Sequence, residues 1–213
     1  SEIFSGVMAM GHYELMACAV LLVIGAAVSF ICVDHAEEQG FSYVELYALI
    51  NCAVFGMMLL VTATHLVTLF VAIEVMSIAV YVLAAIKRES KFAVEAGLKY
   101  FILGAFSSGI MLFGMAYLYG ATGSMAYADI ANALVHHGGQ SNYLDIALWM
   151  LLAAFGFKIA AVPFHMWTPD VYEGAPTPIT GLMATGVKAA AVIAKARFFV
   201  MALPPAALAW SGV

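Results

Sequence analysis

A lysine in the middle of an apolar run is the first residue of this sequence that suggests chemistry. It lies in the stretch FGFKIAAVPFHMWTPDVYEGAPTPITG, residues 155–181, where Lys158 precedes Pro163 and His165. A proline removes a backbone donor and interrupts a helix, and interrupted helices at membrane depth recur at the ion sites of transporters. Histidine changes charge near neutral pH and can relay protons. Seven residues separate Lys158 from His165, which predicts nearly one helix face and a distance of about 10 Å.

Three further ionisable residues lie inside apolar runs, namely Glu74, Lys99 and Lys188. A charge near the centre of a bilayer costs roughly 2.5–3.5 kcal/mol, so several in one small bundle indicate function. A carboxylate beside a lysine keeps both groups charged. Counted from the membrane surface at which each helix begins, the depth is roughly 12 Å for Glu74, roughly 18 Å for Lys158 and roughly 15 Å for Lys188. We expect them to form one polar layer that relays protons, whereas Lys99 has the alternative of reaching the interface with its long side chain.

The composition indicates the elements that must position these residues. Of the 213 residues 65% are hydrophobic and 10% are charged, and the mean hydropathy is +1.00. A soluble domain carries about 25% charged residues, so the chain is predicted to lie in a lipid bilayer. The net charge of −5 shows no basic patch for nucleic acid. No dinucleotide-binding glycine motif, iron–sulfur cysteine pattern or haem ligand pattern is present, so no metal or cofactor site is expected in this chain.

The apolar runs predict an all-α membrane protein, because a helix satisfies its own backbone hydrogen bonds in lipid. About 20 residues suffice to cross a hydrocarbon core of ~30 Å. We expect one transmembrane domain over residues 1–213, a polytopic bundle with one broken helix. The stretch GAFSSG, residues 104–109, offers small side chains for close helix packing. The six predicted spans are about 13–33, 44–63, 66–86, 94–118, 144–168 and 177–202.

The distribution of lysine and arginine predicts the orientation, since these residues favour the cytoplasmic side. The strongest cluster is KRESK, residues 87–91, which we place in the cytoplasm. Alternation of the spans then puts the loops 34–43 and 169–176 on the same side and the HHGG loop outside. Lys195 and Arg197, near the end of the last span, oppose this orientation.

Two long stretches resemble a known family. FGFKIAAVPFHMWTPDVYEGAPTPITGLMATGVKAAA is similar to the antiporter-like membrane subunits of respiratory complex I. FVAIEVMSIAVYVLAAIKRESKFAVEAGLKYFILGAFSSGIMLFGMAYLYGATGS resembles the subunit N branch of that family. The resemblance implies a proton-translocating subunit of NADH:quinone oxidoreductase, with about fourteen helices in the family and two inverted repeats of five. This chain looks like helices three to eight and thus contains the first repeat.

The resemblance also implies roles for single residues. Glu74 matches the carboxylate of helix five, Lys158 the lysine of the broken seventh helix and Lys188 the lysine of helix eight. Lys99 and His165 match polar positions along the family's axis. The family's second repeat is absent, so we expect the chain to be a fragment of a longer protein.

The same resemblance implies partners and a location. NADH, FMN, iron–sulfur clusters and quinone are expected in partner subunits, with sister antiporter-like subunits and the lipid bilayer as neighbours. The expected location is the bacterial inner membrane rather than the mitochondrial one. Two alternatives stay open: a subunit of a multi-subunit sodium/proton antiporter, and a scaffold subunit whose buried ions only lock helices together. The sequence does not decide between protons and sodium.

Overall fold

The computed structural model describes residues 2–39, 43–136 and 142–203. Two strands of two residues each, β1 (Glu2–Ile3) and β2 (Met8–Ala9), pair antiparallel at the start of the chain. All other elements are helical. They are α1 (His12–Gln39), α2 (Tyr43–Thr62), α3 (Leu66–Ala84), α4 (Lys91–Thr122), α5 (Tyr127–His136), α6 (Asn142–Ile159), α7 (Thr168–Gly174), α8 (Thr177–Leu182), a π-helical turn (Met183–Val187) and α9 (Lys188–Ala202).

Among residues 2–39, 43–136 and 142–203, six helices are long and apolar enough to cross a membrane, which confirms the predicted polytopic all-α bundle. The two short strands are a small addition that the sequence pattern did not indicate. Many large apolar side chains of α1 and α4 face outward, as expected where lipid or other membrane subunits replace water. The observed spans are His12–Val33, Tyr43–Thr62, Leu66–Ala84, Lys91–Thr122, Asn142–Ile159 and Thr177–Ala202.

The fifth span differs from its predicted bounds of 144–168, because α6 ends at Ile159. Ala160 adopts a positive φ of 57°, a left-handed conformation of the kind that ends helices, and the amide of Ala161 turns back to the carbonyl of Gly156 at 2.8 Å. The helix therefore breaks directly after Lys158. The prediction that it breaks at Pro163 was wrong by about one turn.

His165 is displaced by this early break. It lies in the non-helical segment between α6 and α7, and its side chain is exposed. The expectation that it shares a helix face with Lys158 was wrong, since no helix continues between the two residues. The side chain lies on the surface of the described chain and not along a helix below the lysine.

The helix ends are joined by specific contacts. At one end, Thr64 Oγ1 donates to the carbonyl of Gly6 at 2.7 Å. The backbone carbonyl of Thr64 accepts from the amide of Tyr127 at 3.0 Å. At the other end, Arg88 Nη2 lies 3.0 Å from Glu45 Oε2. The KRESK segment therefore lies at the same end of the bundle as the start of α2, as the predicted alternation of spans requires.

The helices around Lys158 pack tightly. The structure packs α3 against α2 and α4, and it packs α4 against α6 and α7. The short helix α7 sits directly on α4 at Gly174, where an added Cβ would lie 2.6 Å from both Ala96 Cβ and the Phe92 carbonyl oxygen. Lys158, in the last turn of α6, is thus enclosed by α3, α4 and the segment leading to α7.

A buried ion pair ties the first span to the last. Arg197 on α9 donates to the Glu14 carboxylate on α1 and lies 3.5 Å from the Val61 carbonyl oxygen, while Glu14 also accepts from the amide of Gly11 at 2.7 Å. Arg197 is therefore a packed internal residue. It is not a loop charge, so it does not oppose the predicted orientation.

Candidate functional site

Lys158 is a buried ammonium held by neutral hydroxyls. Its residue surface is 2% exposed. Its Nζ donates to Ser77 Oγ at 2.7 Å and to Tyr81 Oη at 3.2 Å. It also lies 5.6 Å from the ring centroid of Tyr81 and 5.9 Å from that of Phe157, which are attractive distances for a cation. Among the described residues, no carboxylate lies within 4.0 Å of this nitrogen.

One face of α3 supplies both hydroxyls. Glu74, Ser77 and Tyr81 are spaced by three and four residues, so their side chains project from the same side of the helix. That side meets α4 and the end of α6. The break of α6 after Lys158 turns the chain away there and leaves the lysine head against the hydroxyls of α3.

Glu74 completes the polar layer without touching the lysine. Its half-buried carboxylate accepts a hydrogen bond from Ser108 Oγ on α4. The carboxylate makes no direct ion pair with Lys158, whose Nζ binds Ser77 one turn further along α3. The sequence predicted a shared site for these residues. The structure brings them together through one helix face, with Ser77 between them.

α4 contributes space as well as polar groups. Gly104 faces Tyr81, where an added Cβ would lie 2.5 Å from Cζ and collide with the hydroxyl. Three residues further on, Ser107 Oγ donates to the Ala154 carbonyl at 3.5 Å. The predicted close approach in the GAFSSG stretch therefore makes room for a tyrosine hydroxyl beside Lys158.

Lys188 occupies a separate position at the start of α9, directly after the π-helical turn. Turns of this kind inside helices are often found at functional sites. The half-buried ammonium lies 5.3 Å from the ring centroid of Tyr172 on α7. Among the described residues, Lys158 is bonded to Ser77 and Tyr81, whereas Lys188 faces Tyr172, so the two lysines have different neighbours.

Lys99 and His165 lie at the surface. The Lys99 side chain is 43% exposed and its Nζ pairs with Glu95 and Asp170, each at 2.7 Å. These residues border a shallow pocket between α4 and α7. His165 is exposed. The structure thus places Glu74 and Lys158 in one layer, and it leaves Lys99 and His165 outside that layer.

Three side chains of the candidate site were not identified from the sequence, namely Ser77, Tyr81 and Ser108. The signal was present for the first two, because hydroxyl residues three and seven positions after Glu74 share its helix face. Ser108 lies in a stretch that we interpreted only as a packing motif. Among residues 2–39, 43–136 and 142–203, no group of three His, Cys, Asp or Glu residues could hold a metal ion.

Comparisons with known proteins relate this chain to subunits of membrane complexes. Residues 63–212 match the family described as NADH:quinone oxidoreductase/Mrp antiporter, TM. The chain is 44% identical over 209 residues to NADH-quinone oxidoreductase subunit N of Trichlorobacter lovleyi, which covers 98% of this chain and 43% of the relative. The chain therefore spans less than half the length of that relative.

Solved structures give the same picture of the fold. A chain of respiratory complex I from Thermus thermophilus with bound aureothin has a TM-score of 0.73 and 39% identity, covering 94% of this chain and 44% of that chain. A chain of the Mrp complex from Dietzia sp. has a TM-score of 0.71 and 25% identity, covering 87% of this chain and 35% of its own. Both are similar to this chain over most of its length, and the complex I chain is more similar in sequence.

Proposed function

This chain belongs to the NADH:quinone oxidoreductase/Mrp antiporter transmembrane family, and we propose that it is part of a proton-translocating subunit N of a bacterial NADH:quinone oxidoreductase. Relatives that are 42–46% identical to this chain carry that subunit's name. In this proposal the chain provides one buried proton relay, and the rest of the full-length protein provides the remainder of the path.

The observation that carries the proposal is the state of Lys158. Lys158 is buried, its head is held by two neutral hydroxyls, and the nearby Glu74 carboxylate is bonded to Ser108 instead of to the lysine, so no ion pair holds its proton in place. When Lys158 gives up its proton, it becomes a neutral amine, which burial tolerates better than a charge. Ser77 Oγ and Tyr81 Oη are both donors and acceptors, so they hold the head in either state.

The other ionisable residues extend the relay. Glu74 places a carboxylate on the same face of α3 as the two hydroxyls that bind Lys158. Lys188 is the next proton carrier along the bundle. Lys99 and His165 lie at the end of the bundle that carries KRESK, where they collect protons from the cytoplasmic side.

The energy for transport comes from partner subunits in this proposal. NADH, FMN, iron–sulfur clusters and quinone bind there, and this chain has no redox centre of its own. Sister antiporter-like subunits pack against its apolar faces in the bacterial inner membrane. The subunit thereby works as one part of a redox-driven translocase.

The second candidate is a subunit of an Mrp-type sodium/proton antiporter. The similarity to the Mrp chain supports it, but the identity of 25% is well below the 44% to a subunit N. Transport that depends on NADH and quinone supports the first candidate. Transport that depends on sodium and proceeds without NADH supports the second.

The test replaces Lys158 in the full-length subunit within its assembled complex. Lys158→Ala removes the proton carrier, and Lys158→Arg keeps a positive charge that cannot be released because arginine stays protonated. We expect both variants to lose most proton pumping and, with it, quinone reduction. Lys195→Ala serves as the control, since Lys195 is a membrane lysine outside the polar layer.

Vesicles with matched amounts of assembled complex report pumping and quinone reduction together. A passive scaffold predicts that Lys158→Arg retains full pumping, since it preserves the charge. Normal pumping by both variants at normal assembly would overturn the proposed function.

A further inference from the structure

Aromatic side chains connect the surroundings of Lys158 to a second region of the bundle. Tyr81, whose hydroxyl binds Lys158, meets the ring of Tyr100 edge to face, with centroids 4.7 Å apart. Tyr100 lies stacked on Trp167 at 4.4 Å with nearly parallel rings. The contact series therefore leads from α3 through α4 to the segment that precedes α7.

The same series continues to Lys188. Trp167 meets the ring of Tyr172 at 6.0 Å, and Lys188 Nζ lies over that ring at 5.3 Å. Trp167 is fixed by a hydrogen bond from its Nε1 to the Phe157 carbonyl at 3.1 Å, and the Tyr172 carbonyl accepts from Thr180 Oγ1 at 3.2 Å. Both aromatic residues are thus anchored between the two lysines.

Unpartnered hydroxyls lie at the α7 end of this series. Tyr100 is 2% exposed, and its ring packs against both Tyr81 and Trp167. Among the described residues, the buried hydroxyls of Tyr172 and Thr168 on α7 have no hydrogen-bond partner. Buried polar atoms of this kind are normally satisfied, frequently by an ordered water.

We propose that Tyr81, Tyr100 and Tyr172, here called the tyrosine path, pass protons between Lys158 and Lys188 with water bridging the unpartnered hydroxyls of α7. This inference rests on the proposed function and names the side chains that join its two lysines. Thr168 holds a bridging water next to Tyr172, and Trp167 positions the rings without taking up a proton.

The chemistry balances at every step. A tyrosine hydroxyl is both donor and acceptor, so it takes a proton on its oxygen while releasing its own proton to the next oxygen. Lys158 changes from ammonium to amine, and Lys188 changes from amine to ammonium. The cation that forms at Lys188 is stabilised by the face of the Tyr172 ring, and the tyrosines end in the state in which they began.

The test removes single hydroxyls and keeps the rings. Tyr100→Phe and Tyr172→Phe preserve the stacking contacts, and Tyr127→Phe is the matched control. Tyr127 on α5 is also buried, its hydroxyl also lacks a partner in the described part of the chain, and its ring packs on Phe198 rather than on the path. Each variant is made in the full-length subunit of the assembled complex, together with Lys158→Ala.

Two measurements separate proton transfer from packing. Protons pumped per quinone reduced and the solvent deuterium isotope effect on coupled turnover are recorded at matched assembly. We expect each path variant to lose about tenfold in coupled turnover or more, since a positioned proton donor contributes at least that much. The isotope effect should rise in Tyr100→Phe and in Tyr172→Phe, because proton transfer becomes rate-limiting. The control Tyr127→Phe should match the wild type in pumped protons and in the isotope effect.

The outcomes distinguish failure of the tyrosine path from failure of the proposed function. If Lys158→Ala is inactive while Tyr100→Phe and Tyr172→Phe pump like the wild type, the tyrosine path is wrong and the proposed function stands. A defect in Tyr100→Leu without any defect in Tyr100→Phe also overturns the path, because the ring alone then matters. Normal pumping by Lys158→Ala at normal assembly overturns the proposed function itself.

Discussion

Gly104→Ala tests whether the hydrogen bond from Lys158 to Tyr81 is needed for proton transfer. The substitution adds one methyl group on α4 and changes no polar atom. That methyl would lie 2.5 Å from Tyr81 Cζ and 3.0 Å from Cε1, and it would collide with the hydroxyl. The tyrosine ring must therefore move, because the helix backbone of α4 cannot retreat without disturbing its packing on α6.

The size of the movement follows from these distances. Carbon atoms pack at about 3.5–4.0 Å, so the ring must shift by roughly 1 Å or more. The bond between Lys158 Nζ and Tyr81 Oη is already 3.2 Å long, and such a shift takes it beyond hydrogen-bond reach. A hydrogen bond to a charged group contributes about 1.5–3 kcal/mol, which corresponds to roughly tenfold to a hundredfold in an equilibrium.

The assay compares Gly104→Ala with Gly109→Ala in the assembled full-length complex. Both glycines lie on α4, but nothing lies within 4 Å of a Cβ added at Gly109. We expect coupled proton pumping to fall about tenfold or more in Gly104→Ala, whereas Gly109→Ala should pump normally and be slightly more stable because alanine favours a helix. Thermal unfolding in detergent at matched assembly separates a local shift from a folding defect.

The double variant Gly104→Ala with Tyr81→Phe shows where the effect arises. In Tyr81→Phe the bond to Lys158 is already absent, so adding Gly104→Ala should lower pumping little further, even though the added methyl still lies 2.5 Å from the ring Cζ and displaces the ring. Normal pumping by Gly104→Ala, or an equal loss in Gly109→Ala, would refute the reasoning about this contact.

Two further predictions concern the charged groups. Glu74→Gln removes a carboxylate next to the polar layer, so pumping should fall. Adding Ser77→Glu should restore only part of it, because the new carboxylate returns the charge but contacts Lys158 directly and opposes release of its proton. Ile78→Glu should restore none, because Ile78 faces outward with 54% exposure. Equal rescue by both, measured as proton uptake across pH, would contradict the assigned face. Arg197→Met leaves the buried Glu14 carboxylate unpaired and should destabilise the subunit by about 3–5 kcal/mol, as measured by thermal unfolding in detergent. Adding Glu14→Gln should recover most of that loss, and no recovery would mean that the pair is not the cause.

The spans and the main charged residues could be predicted from the sequence because lipid imposes simple constraints. Apolar runs of about 20 residues must be helices, and charges such as Glu74 and Lys158 stand out within them. The division of the long apolar run into α2 and α3 near His65 could also be predicted from the sequence, since polar residues interrupt the run there. The role of each residue in proton transfer stays a prediction.

The position of the helix break could not be predicted in the same way. Pro163 is a visible helix breaker, but α6 ends earlier because Ala160 takes a left-handed conformation. Alanine gives no signal for such a conformation, which glycine or asparagine usually supplies. The placement of His165 depended on that break, so the error in one backbone residue carried over to a proposed functional side chain.

The ion pair of Glu14 and Arg197 escaped sequence reasoning for a different reason. Each residue lies near a span end, where a charge is ordinary, and 183 positions separate them along the chain. Only the packing of α1 against α9 shows that the two are partners. The hydroxyls of Ser77 and Ser108 escaped because small polar residues in membrane helices serve packing as readily as chemistry.

The two buried ionic systems of this bundle differ in a way that bears on function. Arg197 touches Glu14 directly, and because arginine stays protonated, this pair holds a fixed charge and joins helices. Lys158 and Glu74 are each bonded to a hydroxyl instead of to the other, and a lysine, unlike an arginine, can give up its proton. A direct ion pair would stabilise the charged form of both and would oppose proton release. Hydroxyl partners satisfy either form, so the arrangement that makes Lys158 a poor structural link makes it a suitable proton carrier.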